Sequence, residues 1–243
     1  TCLERARGEL VHLLHGDDCV REGFYAAMER PFLERPDTGA AFCRYIAVDE
    51  RANWRNIAHL EQPEAGEIPD WLGRIAVGQR LQFPCMVVAR GTYEALGGFD
   101  DRPVFCEDWE MWVRIAAHYP VAYEPQPLAL YRVHGLSRTG ALLRSGENVR
   151  DLRRVIAINR EHFDPATVDE VSHRALRATA LGCVRRSRRL LTAGDVPAAY
   201  AQLREAMRAD PSPRVAAGAA IVLAGRLALA GGVLGKVGDG LGR

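Results

Sequence analysis

Short apolar runs rich in β-branched and aromatic residues predict the strands of this chain. Residues 9–14, 39–48 and 81–89 are runs of this kind, and each is interpreted as a buried strand. Two further short strands are predicted at residues 121–124 and 128–133, on either side of two closely spaced prolines. The first run ends in a polar loop, so the carboxyl end of its strand is expected to open toward solvent.

Helices are predicted between these strands. In residues 22–34 large apolar side chains recur at every fourth position, and residues 107–118 form a second helical segment after a glycine pair. A short helix begins near Ile68, and the polar residues 49–68 predict an irregular surface excursion. Strands that alternate with helices favour an α/β fold, here a mixed sheet flanked by helices.

The pattern becomes all-helical after residue 145, which predicts a division into residues 1–145 and 146–243. Within the second part, one helical stripe is predicted from four apolar residues at helical spacing, and it is similar to a single tetratricopeptide-like hairpin. Because repeat arrays need several stacked copies, a helical cap is favoured over a peptide-binding array. The stripe consists of Val196, Tyr200, Leu203 and Met207.

The last apolar segment, residues 215–234, approaches the length of a membrane-spanning helix. Arg226 near its middle and its many small residues make spanning costly. A buried or interfacial helix is therefore predicted, which allows peripheral contact with a membrane.

Composition excludes several classes of protein. The 243 residues are 48% hydrophobic and carry a net charge of +1, so the chain is neither disordered nor broadly basic, and no nucleic-acid partner is predicted. The six cysteines lack C-x-x-C spacing and are interpreted as free thiols in a reducing cytoplasm.

The first candidate site is the run His15-Gly16-Asp17-Asp18, which follows a predicted buried strand. Two adjacent carboxylates suit a hard cation such as Mg²⁺ or Mn²⁺, and open α/β sheets place ligands at the carboxyl ends of their strands. The alternative is a simple turn with a helix N-cap, because Asp and Gly are common there.

The second candidate is the acidic start of the helix at residues 107–118. On a helix, Glu107 and Glu110 share one side with Arg114, and Glu110 and Arg114 pair at i, i+4. Asp108 lies on the apolar side, where burial and the helix N-terminus act on its pKa in opposite directions. Such a carboxylate suits a general base. The alternative, an acidic first turn that offsets the helix dipole, accounts for Glu107 and not for Asp108.

The third candidate follows the last predicted strand, where Arg132, His134 and Ser137 offer a cation, a metal or phosphate ligand and a hydroxyl. A histidine in this position is more often an ordinary loop residue, so the functional interpretation rests on the order of all three candidates along the chain.

In that order the chain resembles the family 2 glycosyltransferases of the GT-A fold. The resemblance covers roughly residues 5–140 and is carried by VHLLHGDD, GGFDDRPVFCEDWEMWVRIA and PLALYRVHGLS. It implies a nucleotide-sugar donor, a divalent cation (Mg²⁺ or Mn²⁺) and an inverting single displacement. No Gln-x-x-Arg-Trp motif occurs, which argues against a processive polysaccharide synthase.

The resemblance also implies roles in binding the metal and the donor. Asp17 and Asp18 match the metal-binding acidic motif of the family. His134 matches a histidine that helps to hold the metal and the diphosphate in some members, and Arg132 and Ser137 accompany it in contacts with the donor.

For catalysis, the resemblance implies that Asp108 is the base and Glu107 its neighbour in the same motif. Trp109 follows them and can stack on a sugar face, although core packing is the alternative for this ring.

One departure from the family is large. The acidic motif normally follows a first α/β half that grips the nucleobase and ribose, and roughly 80 residues of that half are expected to be absent here. Residues 1–145 are therefore expected to be the second half of a GT-A catalytic domain, with weak or no activity alone. The start of the sequence without Met fits this expectation.

The leading hypothesis is sugar transfer in bacterial surface-glycan assembly, to a glycan or lipid-linked acceptor, in the cytoplasm or at the inner face of the membrane. One alternative is a non-catalytic descendant or fragment that binds other proteins through its helices. Another is a metal-dependent hydrolase that uses the same acidic residues.

Overall fold

The computed structural model describes residues 2–134 and 138–238, which fold as two compact units. We call residues 1–137 with 154–172 the α/β unit, and residues 138–153 with 173–243 the helical unit. The helices are α1 (Cys2–Arg5), α2 (Phe24–Glu34), α3 (Trp71–Val77), α4 (Arg90–Leu96), α5 (Glu107–His118), α6 (Arg138–Ser145), α7 (Glu147–Asn159), α8 (Val168–Thr192), α9 (Val196–Ala209) and α10 (Pro213–Gly238).

The strands of the described residues form one mixed sheet in the order β1-β6-β3-β7-β2, with β4 paired to β3 and β5 paired to β7. The predicted class, a mixed sheet flanked by helices and followed by an all-helical region, is confirmed. The strands are β1 (Leu10–His12), β2 (Cys19–Val20), β3 (Ala40–Val48), β4 (Trp54–Ile57), β5 (Gly66–Glu67), β6 (Met86–Ala89) and β7 (Val121–Arg132).

Strand directions determine where polar loops can meet. β3 and β7 are parallel, and β1 is antiparallel to β6, which is itself antiparallel to β3. The carboxyl ends of β1, β3 and β7 therefore lie along the same edge, which we call the carboxyl edge of the sheet. α5 leads directly into β7 and runs back across the sheet, so its first turn lies toward this edge as well.

The centre of the sheet is β3, which is buried along most of its length on both faces, as expected of a strand covered on both sides. Its Phe42 ring stacks on Trp71 of α3, with 4.6 Å between the ring centroids. On α2, Phe24 and Met28 are 1% exposed, so the four-residue period correctly predicted the helix and its buried face.

Two predictions about strands are wrong. Residues 121–133 do not form two short strands, because β7 continues through Pro125 and Pro127 by shifting its register against β3. A proline has no backbone N–H to donate to a neighbouring strand, and the shift in register accommodates both prolines within β7. The polar excursion at residues 49–68 also carries β4, which is exposed throughout, and the short β5.

The helical unit has its own apolar core. Small side chains of α8, α9 and α10 pack around Val149 of α7, and Val215 at the start of α10 is fully buried in it. Of the predicted stripe on α9, Leu203 is buried but Tyr200 is 45% exposed. Among the described residues, no helix combines the length and hydropathy needed to cross a bilayer.

Polar side chains replace the missing part of that stripe. Gln202 and Glu205 are 0% exposed on the inner face of α9. Gln202 donates to the Leu143 carbonyl at 2.6 Å and to Asn148 Oδ1 at 2.8 Å, and it accepts from Arg186 at 3.1 Å. The prediction failed at Tyr200 because such paired polar groups can be buried, which an apolar period does not register.

Gly39, which precedes β3, tests how tightly the α/β unit is packed. A Cβ built at Gly39 would lie 2.3 Å from the Tyr119 Cβ, which cannot move without the backbone. We expect Gly39→Ala to lower the free energy of unfolding by about 1–3 kcal/mol through overpacking. The control is Gly91→Ala in α4, where the new Cβ would meet nothing within 4 Å. Urea unfolding should separate the two variants, and equal stabilities would contradict this packing.

Candidate functional site

The acidic loop after β1 lies at the carboxyl edge of the sheet. A turn closes it, in which the Asp18 N–H donates to the His15 carbonyl at 3.1 Å. The turn brings one potential ligand atom from each of His15, Asp17 and Asp18 within 4.8 Å of one another. His15 and Asp17 are exposed, whereas Asp18 is 6% exposed. Two carboxylates and an imidazole at this spacing can hold a divalent cation.

Asp18 is buried but only half satisfied. Its Oδ1 accepts from the Arg132 backbone N–H at 2.8 Å, whereas its Oδ2 is buried and has no hydrogen-bond partner among the described residues. Burial raises the pKa of Asp18, the Arg132 N–H opposes that rise, and the charge of Asp17 adds to it. A buried oxygen of this kind is costly unless something pairs with it, and a cation would do so.

Two residues at the carboxyl end of β7, the last residue of the strand and one just beyond it, hold the acidic loop. The Arg132 guanidinium donates to the backbone carbonyls of Asp17 and Asp49, each at 2.8 Å. These contacts connect the acidic loop with the loop after β3, and the predicted contact of Arg132 with a nucleotide-sugar donor stays a prediction. His134 Nε2 lies 3.2 Å from Asp17 Oδ2, so the structure brings these two predicted ligands together.

Asp108 is held in the first turn of α5, 8% exposed. Its Oδ2 accepts from Gln79 Nε2 at 2.6 Å, and its Oδ1 accepts from the Trp109 backbone N–H at 2.7 Å. Burial raises the pKa of Asp108 to about 7; the charge of Glu107 adds to the rise, and the two hydrogen bonds oppose it. A carboxyl with this pKa can accept and release a proton near neutral pH, as a general base must.

The carboxylates of the acidic loop and of Asp108 raise the pKa of the same side chain, the phenol of Tyr131. Burial raises the pKa of Tyr131 above its ordinary value, and the negative charges of Asp18, Asp108 and Asp17 raise it further. Burial also raises the pKa of Cys85 to about 12, with smaller contributions from Asp108 and Asp18. Segments far apart in the sequence are therefore electrostatic neighbours at the carboxyl edge.

The other predicted site residues have different outcomes. Glu107 is half-buried, and its Oε2 has no hydrogen-bond partner among the described residues. Trp109 is 0% exposed and donates its indole N–H to the Ile75 carbonyl at 2.7 Å, so it is a core residue with no free face for a sugar. Ser137 lies outside the described residues.

The predicted pair on α5 is confirmed, but it is not on the surface. Arg114 and Glu110 contact at 2.8 Å, and Glu110 is 1% exposed. Arg114 also donates to the carbonyls of Leu96 and Gly98 at 2.6 and 2.7 Å. The pair therefore anchors the glycine-containing loop before α5 to the helix that carries Asp108.

Sequence reasoning missed two residues of this site. Gln79 lies in a loop after α3 with no motif around it, and only the fold brings it to Asp108. Its Oε1 is buried and has no partner among the described residues. Tyr131 had a detectable signal, since it directly precedes Arg132 in the third motif, but an aromatic at the end of a strand is usually a packing residue.

A cavity of about 640 Å³ lies beside β1 and α4, and none of these carboxylates lines it. Its wall is largely apolar and includes Leu3, Val11, Tyr93 and Phe99. β1 is an edge strand next to it, and among the strands of residues 2–134 and 138–238 it pairs only with β6.

The comparisons with known proteins give distant likenesses. No family model matches the chain. The chain is 25% identical over 175 residues to the uncharacterized protein MT1568 of Mycobacterium tuberculosis (strain CDC 1551 / Oshkosh), a match that covers 64% of this chain and 52% of that protein. Among solved structures, the mannosyltransferase PcManGT from Pyrobaculum calidifontis, in complex with GDP-Man and Mn²⁺, aligns with a TM-score of 0.48 at 18% identity.

That alignment covers 94% of this chain and 57% of the mannosyltransferase. The chain therefore spans about half the length of each of these two proteins.

The raised pKa of Asp108 predicts how stability depends on pH. Since the pKa of Asp108 is about 7 in the folded chain and 3.8 for an ordinary aspartate, the folded chain holds an extra proton between these two pH values. Stability should therefore fall as pH rises through that window. We expect Asp108→Asn, which mimics the protonated form, to be more stable than the wild type at pH 8. The difference should shrink by about 1.4 kcal/mol per pH unit below pH 7.

Chemical unfolding at several pH values measures this difference. Asp101→Asn removes an exposed carboxylate from the loop before α5 and is the matched control. A constant offset between Asp108→Asn and the wild type across the whole pH range would contradict the raised pKa.

Proposed function

We propose that the α/β unit is the second half of the catalytic domain of a family 2 glycosyltransferase with a GT-A fold. The protein would transfer a sugar from a nucleotide-sugar to an acceptor hydroxyl. One observation carries the proposal: at the carboxyl edge the Arg132 N–H donates to Asp18 Oδ1 at 2.8 Å and His134 Nε2 lies 3.2 Å from Asp17 Oδ2, so that two of the three motifs behind the family resemblance meet there. The charge of Asp108, from the remaining motif, also raises the pKa of the neighbouring Tyr131. Ligands of open α/β sheets bind at such an edge.

A divalent cation fits the donor atoms of the acidic loop. Asp17, Asp18 and His15 offer ligand atoms close to one another, and the unpartnered Oδ2 of Asp18 gives a cation a specific position to fill. His134 would orient Asp17 from the other side. The predominance of carboxylate oxygen favours Mg²⁺ or Mn²⁺. When bound, the cation supplies positive charge against the negative charge that develops on the leaving diphosphate.

Asp108 would act on the acceptor. Its carboxylate removes the proton of the acceptor hydroxyl while that oxygen attacks the anomeric carbon, and the bond to the diphosphate breaks on the opposite face. This single displacement inverts the anomeric centre. Gln79 and the Trp109 N–H hold the two carboxylate oxygens in place, so the base is positioned before the acceptor arrives. Two hydrogen bonds from Arg132 hold the acidic loop against the end of β7.

The nucleobase and ribose would be bound by residues outside this chain. β1 has an unpaired side and borders an apolar cavity, which is compatible with a further strand at that edge. This part of the proposal, together with a cytoplasmic location and a glycan or lipid-linked acceptor in bacterial surface-glycan assembly, rests on the family resemblance.

Metal binding is the first test of this site. We expect Mn²⁺ to bind the wild-type chain, and Asp18→Asn to weaken that binding by about tenfold or more, because a buried charged ligand is lost. Isothermal titration with Mn²⁺ measures the affinity. Glu22→Gln, which removes an exposed carboxylate just beyond β2, is the control and should leave it unchanged. Equal affinities for the wild type and Asp18→Asn would remove the acidic loop from its proposed role.

Sugar transfer is the second test, measured on the chain extended by its upstream sequence. We expect Asp108→Asn to lower turnover of a nucleotide-sugar with acceptor by about a hundredfold or more, the usual contribution of a general base. Mn²⁺ affinity should not change, because Asp108 is not a ligand in this scheme. Wild-type turnover should rise with pH and reach half its maximum near pH 7, where Asp108 loses its proton.

The same assay separates the alternatives. Asp101→Asn is the control and should keep full turnover. If Asp108→Asn still transferred the sugar, the assignment of Asp108 as the general base would be wrong. A protein that binds neither Mn²⁺ nor a nucleoside diphosphate would instead be a binding module, and cleavage of the donor without an acceptor would indicate a hydrolase.

A further inference from the structure

The near-neutral charge of the chain conceals a strong separation of charge. The helical unit contains 16 basic and 6 acidic residues, a net charge of +10, whereas the α/β unit contains 16 basic and 25 acidic residues, a net charge of −9. Arginine supplies all but one of the basic residues of the helical unit. An excess of this size in a small helical unit creates a positive potential that attracts polyanions.

Much of this charge lies along one face of α8. Five exposed arginines fall within an arc of about 120° when the sequence is placed on a helix of 3.6 residues per turn. Ala180, Cys183 and Val184, which lie outside this arc, pack in the core. The exposed face therefore forms an arginine stripe along the helix. We call it the α8 stripe: Arg174, Arg177, Arg185, Arg188 and Arg189.

The carboxyl-terminal part of the α8 stripe is not neutralised. Arg185, Arg188 and Arg189 have no acidic partner among the described residues, whereas Arg177 pairs with Asp210 at 3.1 Å. Burial lowers the pKa of the neighbouring Arg186, and the charges of Arg189 and Arg185 lower it further. Like charges therefore lie three and four residues apart on an exposed helix face, a spacing that is mildly unfavourable and that a bound anion would relieve.

A second group of arginines in the same unit surrounds one carboxylate. Glu205 is 0% exposed, and the guanidinium groups of Arg150, Arg153, Arg204 and Arg208 lie 2.6–3.9 Å from its oxygens. All four are at least 40% exposed at the side chain. Arg150 also pairs with Glu147 at 2.7 Å, so two carboxylates face four guanidinium groups and the group keeps a net positive charge.

The chemistry of the unit favours phospholipid over nucleic acid. Single-stranded nucleic acids are bound on aromatic stacking platforms, but Tyr200 is the only aromatic residue in the sequence of the helical unit. The unit also includes the apolar α10, on which Ile221 is 72% exposed. Basic helices with adjacent apolar surface are typical of binding to acidic membranes.

We propose that the helical unit binds the surface of membranes that contain acidic phospholipids, with the α8 stripe against the headgroup phosphates. The guanidinium fork can pair with a phosphate group through two hydrogen bonds. The α/β unit, with its net charge of −9, is repelled by the same surface, so attraction is confined to the helical unit. This proposal does not depend on sugar transfer.

Vesicle flotation with the full chain tests the proposal. We expect binding to phosphatidylcholine vesicles that contain phosphatidylglycerol, no binding to pure phosphatidylcholine vesicles, and loss of binding at high salt. Each arginine near an acidic surface contributes about a fivefold change in affinity, so Arg185→Gln, Arg188→Gln and Arg189→Gln together should weaken binding on the order of a hundredfold.

The matched control removes three exposed arginines from the α/β unit, Arg5→Gln, Arg7→Gln and Arg51→Gln, and should bind as the wild type does. Circular dichroism verifies that both triple variants are folded. If the α8 variant does not fold, the lipid and salt dependence of the wild type decides the question.

Three results would overturn the proposal. The first is a wild-type chain that ignores phosphatidylglycerol, and the second is an equal loss of binding in both triple variants. The third is tighter binding to a duplex oligonucleotide than to vesicles at the same phosphate concentration, which would indicate a nucleic-acid partner.

Discussion

The hydrogen bond from the Arg132 N–H to Asp18 Oδ1 joins two parts of the chain that are 114 residues apart in sequence. It exists because β1, β3 and β7 end at the same edge of the sheet. Without that alignment the acidic loop would be an ordinary exposed turn, which is the alternative that its sequence allows. The main-chain donor fixes one oxygen of Asp18, and the other oxygen is buried with no hydrogen-bond partner in the part of the chain that the structure describes. The candidate metal site therefore depends on the directions of β1, β3 and β7, which bring the acidic loop next to Arg132.

Buried carboxylates in this protein fall into two kinds. Glu110 and Glu205 are almost fully buried, and each contacts at least one guanidinium group, so their charges are compensated. Asp18 and Asp108 are also buried, but their described hydrogen bonds come from neutral backbone and amide groups. Uncompensated burial raises the pKa of both. A stable fold retains such groups at a cost, and perturbed carboxyls of this kind cluster at functional sites.

Helices were predicted correctly where the spacing of apolar residues matches the helix face that the structure buries. The segment α2 was predicted from its four-residue period, and α5 begins and ends at the predicted residues. Asp108 was found because a carboxylate on the apolar side of a helix is unusual. Prediction from the spacing of apolar residues failed where ion pairs allow a charged side chain to be buried. Glu205 is buried in this way, because arginines surround it. It also failed at Gln79, since a loop glutamine acquires its role only when the fold brings it to Asp108.

The amide of Gln79 has a consequence for proton transfer. Its nitrogen donates to Asp108 Oδ2, while its own oxygen is buried without a partner among the described residues. A half-turn of the amide would exchange these two atoms and present an acceptor to a protonated carboxyl. The side chain can therefore serve either protonation state of Asp108 by rotation about one bond. Asp108 can therefore gain and lose its proton while the backbone around it stays still.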